Sequence, residues 1–404
     1  MPNKDRNIPK RRFKEFENAD AWELRKLGEV AEMYSGGTPS VGRKELYDGN
    51  IPFIRSAEIN SHNTELFISE LGLSNSSAKM VSEGTLLYAL YGATSGEVGL
   101  SKISGAINQA ILAIIPSIGY SSSFLLQWLK REKNNIIEKY LQGGQGNLSG
   151  AIVKDFFILF PTLSEQEAIG TFFSTLDRHI TLHQRKLDKL KCVKQAYLSE
   201  MFPAEGERVP KRRFPGFTDD WELRKLGEVA EIITGTTPST FDEENYGGKR
   251  LFVSPVDIQD NRYITETLTT LTEKGHLLGR ELRPGATLFV SIGSTIGKVA
   301  QLKSFATSNQ QINAVISDDK IDDDFIFTGL EKKSAQIKNL SSQQAVPIIN
   351  KSTFSKIEFE FPTLPEQEAI GTFFSTLDRH ITLHQRKLEK LKNLKKALLN
   401  ELFV

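Results

Sequence analysis

The sequence predicts an α/β (α+β) protein in which two mixed α/β domains are separated by a long antiparallel two-helix coiled coil. Three observations support this fold. The 404 residues contain two copies of one pattern, about 200 residues apart. Each copy ends in a heptad pattern that no proline interrupts. The part before it holds short β-like runs and one helical stretch. The two copies are expected to be related by a pseudo-twofold axis.

The composition is typical of a globular protein, with 39% hydrophobic and 25% charged residues. No apolar stretch approaches the ~20 residues of a membrane-spanning helix, and the polar, basic N-terminus predicts no secretion. The single cysteine, Cys192, excludes an internal disulfide framework and fits a reducing cytoplasm. The net charge of +1 is low for a protein that holds DNA alone. Either the chain does not bind DNA, or partners supply much of the phosphate contact.

The repeat is strongest at the domain edges and in the C-terminal helix of each copy. WELRKLGEVAE and EQEAIGTFFSTLDRHITLHQRKL recur without a change, and the shorter PKRRF recurs with them. Simple drift after a duplication would spread the differences more evenly. The sequence therefore predicts one shared framework that carries two different domain interiors. The paired segments are Trp22–Glu32 and Trp221–Glu231, Glu165–Leu187 and Glu366–Leu388, and Pro9–Phe13 and Pro210–Phe214.

The domain interiors differ, but short motifs still align them. Each has a Gly-x-Thr-Pro turn, a strand-like run that begins with Phe, a glycine-spaced turn and an Asn-Gln pair. Strands are predicted at Thr85–Leu90, Ile111–Ile115, Thr287–Ile292 and Ile357–Phe361, and helices at Ser123–Leu141 and Asp324–Leu340. The aligned motifs are Gly36–Pro39 and Gly235–Pro238, Phe53–Ile59 and Phe252–Ile258, Gly92–Val98 and Gly293–Val299, and Asn108–Gln109 and Asn309–Gln310.

The C-terminal part of each copy is predicted to be one long helix, because seam residues recur at alternating steps of four and three. A helix of ~37 residues is about 55 Å long, which exceeds one turn of DNA at ~34–36 Å. Ser164 is expected to cap the first helix with Glu167 in a capping box, and Pro365 to be the first residue of the second. Because neither helix can bury its seam alone, antiparallel pairing is favoured over packing of each helix on its own domain.

The seam positions of the two helices match one for one. They are Ile169, Phe173, Leu176, Ile180, His183, Leu187, Leu190, Lys194, Tyr197 and Met201 in the first helix, and Ile370, Phe374, Leu377, Ile381, His384, Leu388, Leu391, Lys395, Leu398 and Leu402 in the second.

The order of these motifs resembles that of the specificity subunits of type I restriction–modification systems, twice over. The resemblance rests on W-x-L-x-x-L-G-E-V, then G-x-T-P, a glycine-rich turn, N-Q, and P-T-L-x-E-Q-E-A-I before a long helix. It implies two target recognition domains, one for each half of a bipartite, asymmetric DNA target. It also implies that two methyltransferase subunits dock on this chain, partly on the helices, with the seam positions from Ile169 to Leu187 and from Ile370 to Leu388 as candidate docking residues. Two restriction/translocase subunits are then expected to join them. S-adenosylmethionine, ATP and Mg²⁺ are then expected in the partners, in the cytoplasm of a bacterium or archaeon.

On this interpretation, residues 1–162 form the first recognition domain, with a basic tail at about 1–20, and residues 163–203 form the first spacer helix. Residues 204–363 form the second recognition domain, with a linker at about 204–217, and residues 364–404 form the second spacer helix. The alternative is an orphan or silent copy that acts mainly as a scaffold for methyltransferase subunits.

A third hypothesis, that the chain is an enzyme in its own right, is disfavoured because no motif for catalysis is convincing. Gly293–Val299 reads GSTIGKV, which is one residue short of a phosphate-binding loop and has Val where the magnesium-binding hydroxyl belongs. No Asn-Pro-Pro-aromatic motif for base methylation and no nuclease carboxylate cluster is evident. The sequence therefore predicts no catalytic residues in this chain.

Two histidine pairs have the spacing of metal ligands. His179 and His183 lie four residues apart on one helix face, and His380 and His384 repeat them. The glutamate of H-E-x-x-H is missing, so we interpret His183 and His384 as polar register markers in the seam and predict no metal site. Cys192 has Asn393 as its counterpart, which argues against thiol chemistry.

Candidate DNA contacts are mainly polar residues in loops where the two copies differ, because Arg, Asn and Thr side chains can pair with base edges. The basic clusters Lys10–Arg12 and Lys211–Arg213 are interpreted as a solvated tail and linker, with contact to DNA phosphates as the alternative. The candidates are Thr38, Arg43, Asn60, His62, Tyr91 and Thr94 in the first copy, and Thr237, Arg262, Tyr263, Ser291 and Ser294 in the second.

Overall fold

The chain folds into two compact units, one formed by residues up to Leu182 with Glu389–Val404, and one by His183–Leu388. The structure, a computed structural model, describes residues 7–141, 147–259, 261–340 and 347–404. The first six residues of the predicted basic tail lie outside the described residues. Each unit combines one α/β domain with the start of the helix that follows it and the end of the other long helix. Both predicted long helices are present.

The described residues of the first domain form ten strands in three sheets. A four-stranded antiparallel sheet has the order β2-β9-β6-β7, a second has the order β4-β3-β8-β5 with β3 and β8 parallel, and β1 pairs with β10. The strands are β1 (Glu23–Lys26), β2 (Ala31–Ser35), β3 (Ile51–Ile54), β4 (Phe67–Ile68), β5 (Lys79–Val81), β6 (Leu86–Ala89), β7 (Val98–Leu100), β8 (Gly105–Ile107), β9 (Ile111–Pro116) and β10 (Phe157–Phe160). The helices are α1 (Leu27–Val30), α2 (Glu70–Ser74), α3 (Ser122–Leu141), α4 (Gly150–Lys154) and α5 (Leu163–Glu200).

The described residues of the second domain repeat this plan with small differences. The larger sheet has five strands in the order β12-β19-β16-β17-β14, the smaller has the order β15-β13-β18, and β11 pairs with β20. The strands are β11 (Glu222–Lys225), β12 (Ala230–Thr234), β13 (Tyr246–Val253), β14 (Tyr263–Ile264), β15 (Thr269–Leu271), β16 (Thr287–Val290), β17 (Val299–Leu302), β18 (Ala306–Ser308), β19 (Ile312–Ser317) and β20 (Glu358–Phe361). The helices are α6 (Leu226–Val229), α7 (Glu273–Leu277), α8 (Asp323–Asn339), α9 (Lys351–Ser355) and α10 (Leu364–Leu402).

The predicted interior strands and helices are confirmed, with shifts of one or two residues at their ends. Strands β6 and β16 are buried at every position, which is why they are short apolar runs rather than alternating ones. Helices α3 and α8 begin one residue earlier than predicted. The mixed α/β character of both domains follows from sheets that pack one face against these helices.

The two long helices have 38 and 39 residues, and their N-terminal caps differ from the prediction. Helix α5 already begins at Leu163, so Ser164 lies within the first turn, and the hydroxyl of Thr162 accepts a hydrogen bond from the Glu165 N–H at 3.5 Å. Helix α10 begins at Leu364, so Pro365 is its second residue. The sequence-based choice failed because Ser164 and Thr162 are both good caps by residue type, and the backbone becomes helical at Leu163, directly after Thr162.

Within each unit the start of one long helix packs against the end of the other, so the predicted antiparallel pairing is confirmed there. In the first unit Phe173 lies in one core cluster with Leu402 and Phe403. In the second unit Phe374 lies in one cluster with Met201. The ten predicted seam positions of each helix are all buried or half-buried. The two repeated tryptophans join these cores, because Trp22 contacts Phe403 and Trp221 contacts Phe202 with ring centroids 6.2 and 5.8 Å apart.

Two half-buried histidines meet in the second unit, as the seam predicts. The Nδ1 atoms of His183 and His384 are 3.0 Å apart. One Nδ1 must donate and the other accept, so the pair fixes complementary protonation at these two atoms. A polar pair inside an apolar seam favours one register over its neighbours. His179 and His380 are exposed beside the seam.

The identical Glu-Gln letters at the start of both long helices have a structural role. Gln166 donates from Nε2 to the Pro161 carbonyl at 2.9 Å, and its Oε1 accepts from the Ser121 N–H, just before α3, at 3.0 Å. Gln367 makes the same two bonds, to the Pro362 carbonyl and from the Asp322 N–H. Each buried amide therefore fixes the domain helix against the long helix, whichever domain sequence is present.

The basic clusters before each domain form a structure that we call the arginine clasp, made of Arg11 and Arg12 in the first unit and Arg212 and Arg213 in the second. Arg12 donates to Glu165 at the start of α5 at 2.8 Å, and Arg11 pairs with Glu401 at the end of α10 at 2.7 Å.

The second clasp repeats the first. Arg213 donates to Glu366 at 2.8 Å, and Arg212 pairs with Glu200 at 2.6 Å. The inner pairs Arg12–Glu165 and Arg213–Glu366 are buried, and the hydrogen bond that Arg12 donates to Glu165 raises the pKa of Arg12. The interpretation as a solvated tail and linker is therefore wrong for Arg12 and Arg213, whereas the other members of the two basic clusters, Lys10, Arg11, Lys211 and Arg212, are exposed.

Arg12→Ala is expected to destabilise the first unit by about 3–5 kcal/mol, because it leaves the buried Glu165 carboxylate without its partner. Arg11→Ala is the matched control from the same clasp, and loss of its exposed ion pair is expected to cost at most about 1 kcal/mol. Hydrogen exchange of the α5 and α10 amides under native conditions measures both. Equal effects of the two substitutions would show that the buried pair is not the stabilising contact.

Candidate nucleic-acid interface

Two motifs shared by both domains lie side by side and form what we call the recognition frame. In the first domain, Thr38 of the Gly-x-Thr-Pro turn donates its hydroxyl to the side chain of Gln109 from the Asn-Gln motif. Thr237 and Gln310 repeat this bond in the second domain. A tyrosine hydroxyl also holds this turn in each domain. The Tyr47 hydroxyl donates to the Pro39 carbonyl at 2.6 Å, and the Tyr246 hydroxyl donates to the Pro238 carbonyl at 2.7 Å. Thr38 and Thr237 are therefore frame residues in each domain.

A second loop follows β3 or β13 and carries different chemistry in the two domains. In the first, Glu58 accepts from the Arg55 guanidinium at 2.9 Å and from the Glu65 N–H at 3.0 Å. Burial opposes ionisation of Glu58, but these hydrogen bonds outweigh it and lower the pKa of Glu58 to about 2. In the second domain Asp257 takes the same place and accepts from the Ser254 N–H at 2.8 Å. One backbone arrangement thus presents an arginine in one domain and a serine in the other.

The recognition frame and this loop meet around a cavity in the first domain. The cavity has a volume of about 410 Å³ and opens to solvent. It brings residues from three separate motifs to one face of the domain. The lining residues are Thr38, Val41, Gly42, Tyr47, Phe53, Arg55, Leu66 and Asn108.

The predicted DNA contacts fall into three groups by exposure. Thr38, Arg43, Asn60, His62 and Ser294 are exposed, Tyr91, Thr94, Thr237 and Tyr263 are half-buried, and Arg262 and Ser291 are buried. Thr38 and Arg43 lie on the same loop next to the cavity, whereas Tyr91 and Thr94 lie on the separate β6–β7 turn. Arg43 pairs with Glu45 at 2.7 Å, an exposed ion pair that DNA phosphate could replace.

Arg262 is a correction to the prediction, because its guanidinium is buried, with 1% of the side chain exposed. It donates to Asp324 at 2.6 Å and to Asp378 of α10 at 3.2 Å. It also lies over the ring of Phe327, 4.1 Å from the centroid. A base contact would require this network to break, so Arg262 joins the domain to the long helix instead.

Ser291 is a second correction. It is buried, and its hydroxyl accepts a hydrogen bond from the Asn313 side chain at 2.8 Å. Its N–H donates to the Gln311 carbonyl, and its carbonyl accepts from the Ile349 N–H. Ser291 therefore links β19 and the segment before α9 to the end of β16 by hydrogen bonds. Its place in a variable segment made it look like a loop residue, but the strand pairing buries it.

A lysine–aspartate pair from the long helices meets each domain helix, and we call it the helix Lys–Asp pair. In the second unit Lys194 lies 2.6 Å from Asp378 and 2.5 Å from Glu331 of α8. In the first unit Lys395 lies 2.5 Å from Asp177.

The residue that meets this pair from the first domain has the opposite charge to Glu331. Lys130 of α3 lies 3.5 Å from Asp177. Burial lowers the pKa of Lys130 and raises the pKa of Glu331, whereas the opposite charge of its helix partner acts against that shift in each case. The helix Lys–Asp pair therefore accepts a domain residue of either charge.

Sequence reasoning missed the arginine clasp and the helix Lys–Asp pair. A signal for the clasp was present, because Arg12 and Glu165 are separated by 153 residues, as are Arg213 and Glu366. Equal spacing of opposite charges in both copies indicates a contact that the duplication preserved. Among the described residues no helix is long and apolar enough to cross a membrane, and no cluster of three potential metal ligands is present.

Both halves of the chain match one family model, the type I restriction modification DNA specificity domain, over residues 19–192 and 218–393. The chain belongs to this family. Among curated members, it is 29% identical over 209 residues to the type I restriction enzyme HindI specificity subunit of Haemophilus influenzae. That alignment covers 50% of this chain and 44% of the relative. It is 27% identical over 190 residues to the MjaIX specificity subunit of Methanocaldococcus jannaschii, covering 46% of this chain and 44% of the relative.

The matched segments thus span less than half the length of these two family members. The fold extends further than the sequence similarity. The crystal structure of the type I restriction-modification system S subunit from M. genitalium superposes with a TM-score of 0.71 at 15% sequence identity. It covers 98% of this chain and 99% of that one. The resemblance and the fold class expected from the sequence are therefore confirmed.

Arg262→Gln is expected to destabilise the second unit by about 1.5–3 kcal/mol, because it removes charge-assisted hydrogen bonds to the half-buried Asp324 carboxylate and to the buried Asp378, which then keeps only Lys194. Ser294→Ala, an exposed change in the same domain, is the control and is expected to shift stability by less than about 0.5 kcal/mol. Thermal unfolding and hydrogen exchange of α8 measure the difference. Unchanged stability together with altered DNA sequence preference would restore Arg262 as a base contact.

Proposed function

We propose that this chain is the DNA sequence-specificity subunit of a type I restriction–modification complex, and that it recognises a bipartite, asymmetric target. One observation carries the proposal: two family matches share their frames and helices but differ in the loops beside the frames. The loop after the Thr-Pro turn carries Arg43 and Lys44 in the first domain and Asp242 and Glu243 in the second. Different loop side chains on one frame select different bases, whereas phosphate contacts carry no sequence information.

The chain is proposed to act without catalysis of its own. Two methyltransferase and two restriction/translocase subunits would bind it and supply S-adenosylmethionine, ATP and Mg²⁺ chemistry. The net charge of +1 supports partners that share the phosphate contacts. Because the substrate is cellular DNA, the complex would work in the cytoplasm of a bacterium or archaeon.

The docking surface is proposed to lie on exposed helix positions that are identical in both copies. The seam residues are buried or half-buried by helix pairing, so they expose little surface area to a partner subunit. Leu182 and Leu383 are exposed leucines at equivalent places, beside Arg178 and Arg379. An exposed apolar residue kept in both copies supports two equivalent docking sites.

Methylation-aware sequencing of DNA from cells that express this chain with its methyltransferase subunit tests the proposal. The expected result is one methylated motif with two unequal half-sites and a fixed gap. Cells with the methyltransferase alone provide the control. Assembly of the complex without sequence-preferred DNA binding in gel-shift assays, and without a methylated motif, would favour the scaffold alternative and overturn the proposal.

A duplicated recognition domain should give a palindromic target. Residues 231–362 are replaced by a copy of residues 32–161, so both frames carry the loops of the first domain. Two equal domains on matched helices should read equal half-sites in opposite orientation, because protein twofold symmetry is mirrored in DNA sites. The methylome of cells with this hybrid shows the outcome. Methylation of the original asymmetric site would place specificity outside the exchanged segments.

A further inference from the structure

The loop after each Thr-Pro turn, residues 40–45 and 239–244, exposes one large apolar side chain; we call these segments the tip loops. Phe241 is 98% exposed and Val41 is 88% exposed. Neither side chain packs in a core of this chain. Gly42 takes the place of Phe241 in the first tip loop, and a Cβ there would meet no atom within 4 Å. Both tip loops therefore face open space at this point.

The second tip loop is held in one conformation although its tip is exposed. Asn245 is buried and donates from Nδ2 to the Ser239 carbonyl at 3.2 Å. The carboxylate of Asp242 accepts from the Glu244 N–H at 3.2 Å. Lys274 of α7 pairs with Asp242 and Glu244 at 3.0 and 2.6 Å. Because the loop is already ordered, binding a partner through Phe241 costs little conformational entropy.

The first tip loop is fixed by different bonds to the same effect. The Leu46 N–H donates to the Arg43 carbonyl at 3.0 Å, and the Ser69 hydroxyl donates to the Glu45 carbonyl at 2.7 Å. Val41 lines the cavity beside the recognition frame. Isolated exposed apolar residues are common on proteins, so exposure alone means little. Here the residue stands on an ordered loop, next to a shared polar frame, and differs between the two domains.

We propose that Val41 and Phe241 are specificity-determining contacts, each of which touches the 5-methyl group of a thymine in the major groove of its own half-site. The inference rests on the proposed function and deepens it. Thymine is the base that presents an apolar group on the major-groove edge. The other bases would place hydrogen-bonding groups against the apolar side chain, and burial of an unsatisfied polar group is costly. The tip loops thus select for a T·A pair.

The test uses the assembled complex of this chain with its methyltransferase subunit. The methylome first defines both half-sites. Binding is then measured on duplexes in which each thymidine of the target is replaced in turn by deoxyuridine, which lacks only the 5-methyl group. The unmodified complex should lose about fourfold in affinity at one thymidine of each half-site, the size expected for one buried methyl group.

Phe241→Ala should abolish this sensitivity in the second half-site and leave the first unchanged. Val41→Ala should do the reverse, so each variant is the control for the other. Phe305→Ala is the matched phenylalanine control. Phe305 is 51% exposed and lies just before β18, whereas Asn309 of the Asn-Gln motif lies just after that strand. This variant should bind every duplex as the unmodified complex does. Thermal unfolding of all three variants should be unchanged, since the side chains are exposed.

The outcomes separate the two levels of the proposal. If a bipartite target is methylated but Phe241→Ala keeps full sensitivity to the missing methyl group, the tip-loop contact is overturned and the specificity function stands. A half-site without any T·A pair, or the same loss with Phe305→Ala, overturns it in the same way. A complex that neither binds nor methylates a bipartite target overturns both.

Discussion

Mutual burial of two heptad seams is the constraint on which the rest of the structure depends. A helix of 38 or 39 residues with one apolar face has no stable place in water alone, and each unit solves this with the end of the other helix. Two core residues of the first unit come from the end of the second half of the chain: Leu402 is the last residue of α10, and Phe403 follows it. Because both cores need residues from both halves of the chain, neither domain is a separate folding module. The arginine clasp adds ion pairs to the long helices of each unit.

Two helices of nearly the same sequence carry domains that differ, and the contacts where each domain meets the helices explain how this is possible. Gln166 and Gln367 bind backbone atoms of the domain, which are present whatever its side chains are. The helix Lys–Asp pair contains both charges, so it accepts Lys130 in one unit and Glu331 in the other. If the helices offered only a lysine or only an aspartate at this place, the domain residue that meets it would need the opposite charge. The spacer can therefore stay constant while the sequence of each domain changes.

The recognition frame applies the same division within a domain. Backbone and paired side chains such as Thr38 and Gln109 fix the shape of the exposed face, and the tip loops vary on it. Charged residues of the second tip loop, Asp242 and Glu244, are bound to Lys274, so they maintain the loop conformation. Phe241 stands exposed at the tip of the same loop. The exposed face of a domain can thus change at a few positions without loss of fold.

The sequence by itself determined the repeat, the seams, the antiparallel helices, most interior strands and helices, and the family, because each of these depends on periodicity or on local patterns. Only the tertiary structure decided which polar residues are free to bind. Arg262 and Ser291 were expected at the interface, yet ion pairs and strand pairing bury them. Arg12 was expected in solvent, yet Glu165, which lies 153 residues away, buries it. Whether a charged side chain is exposed depends on partners that are distant in sequence. The residue type at one position does not show which distant residues will pack against it.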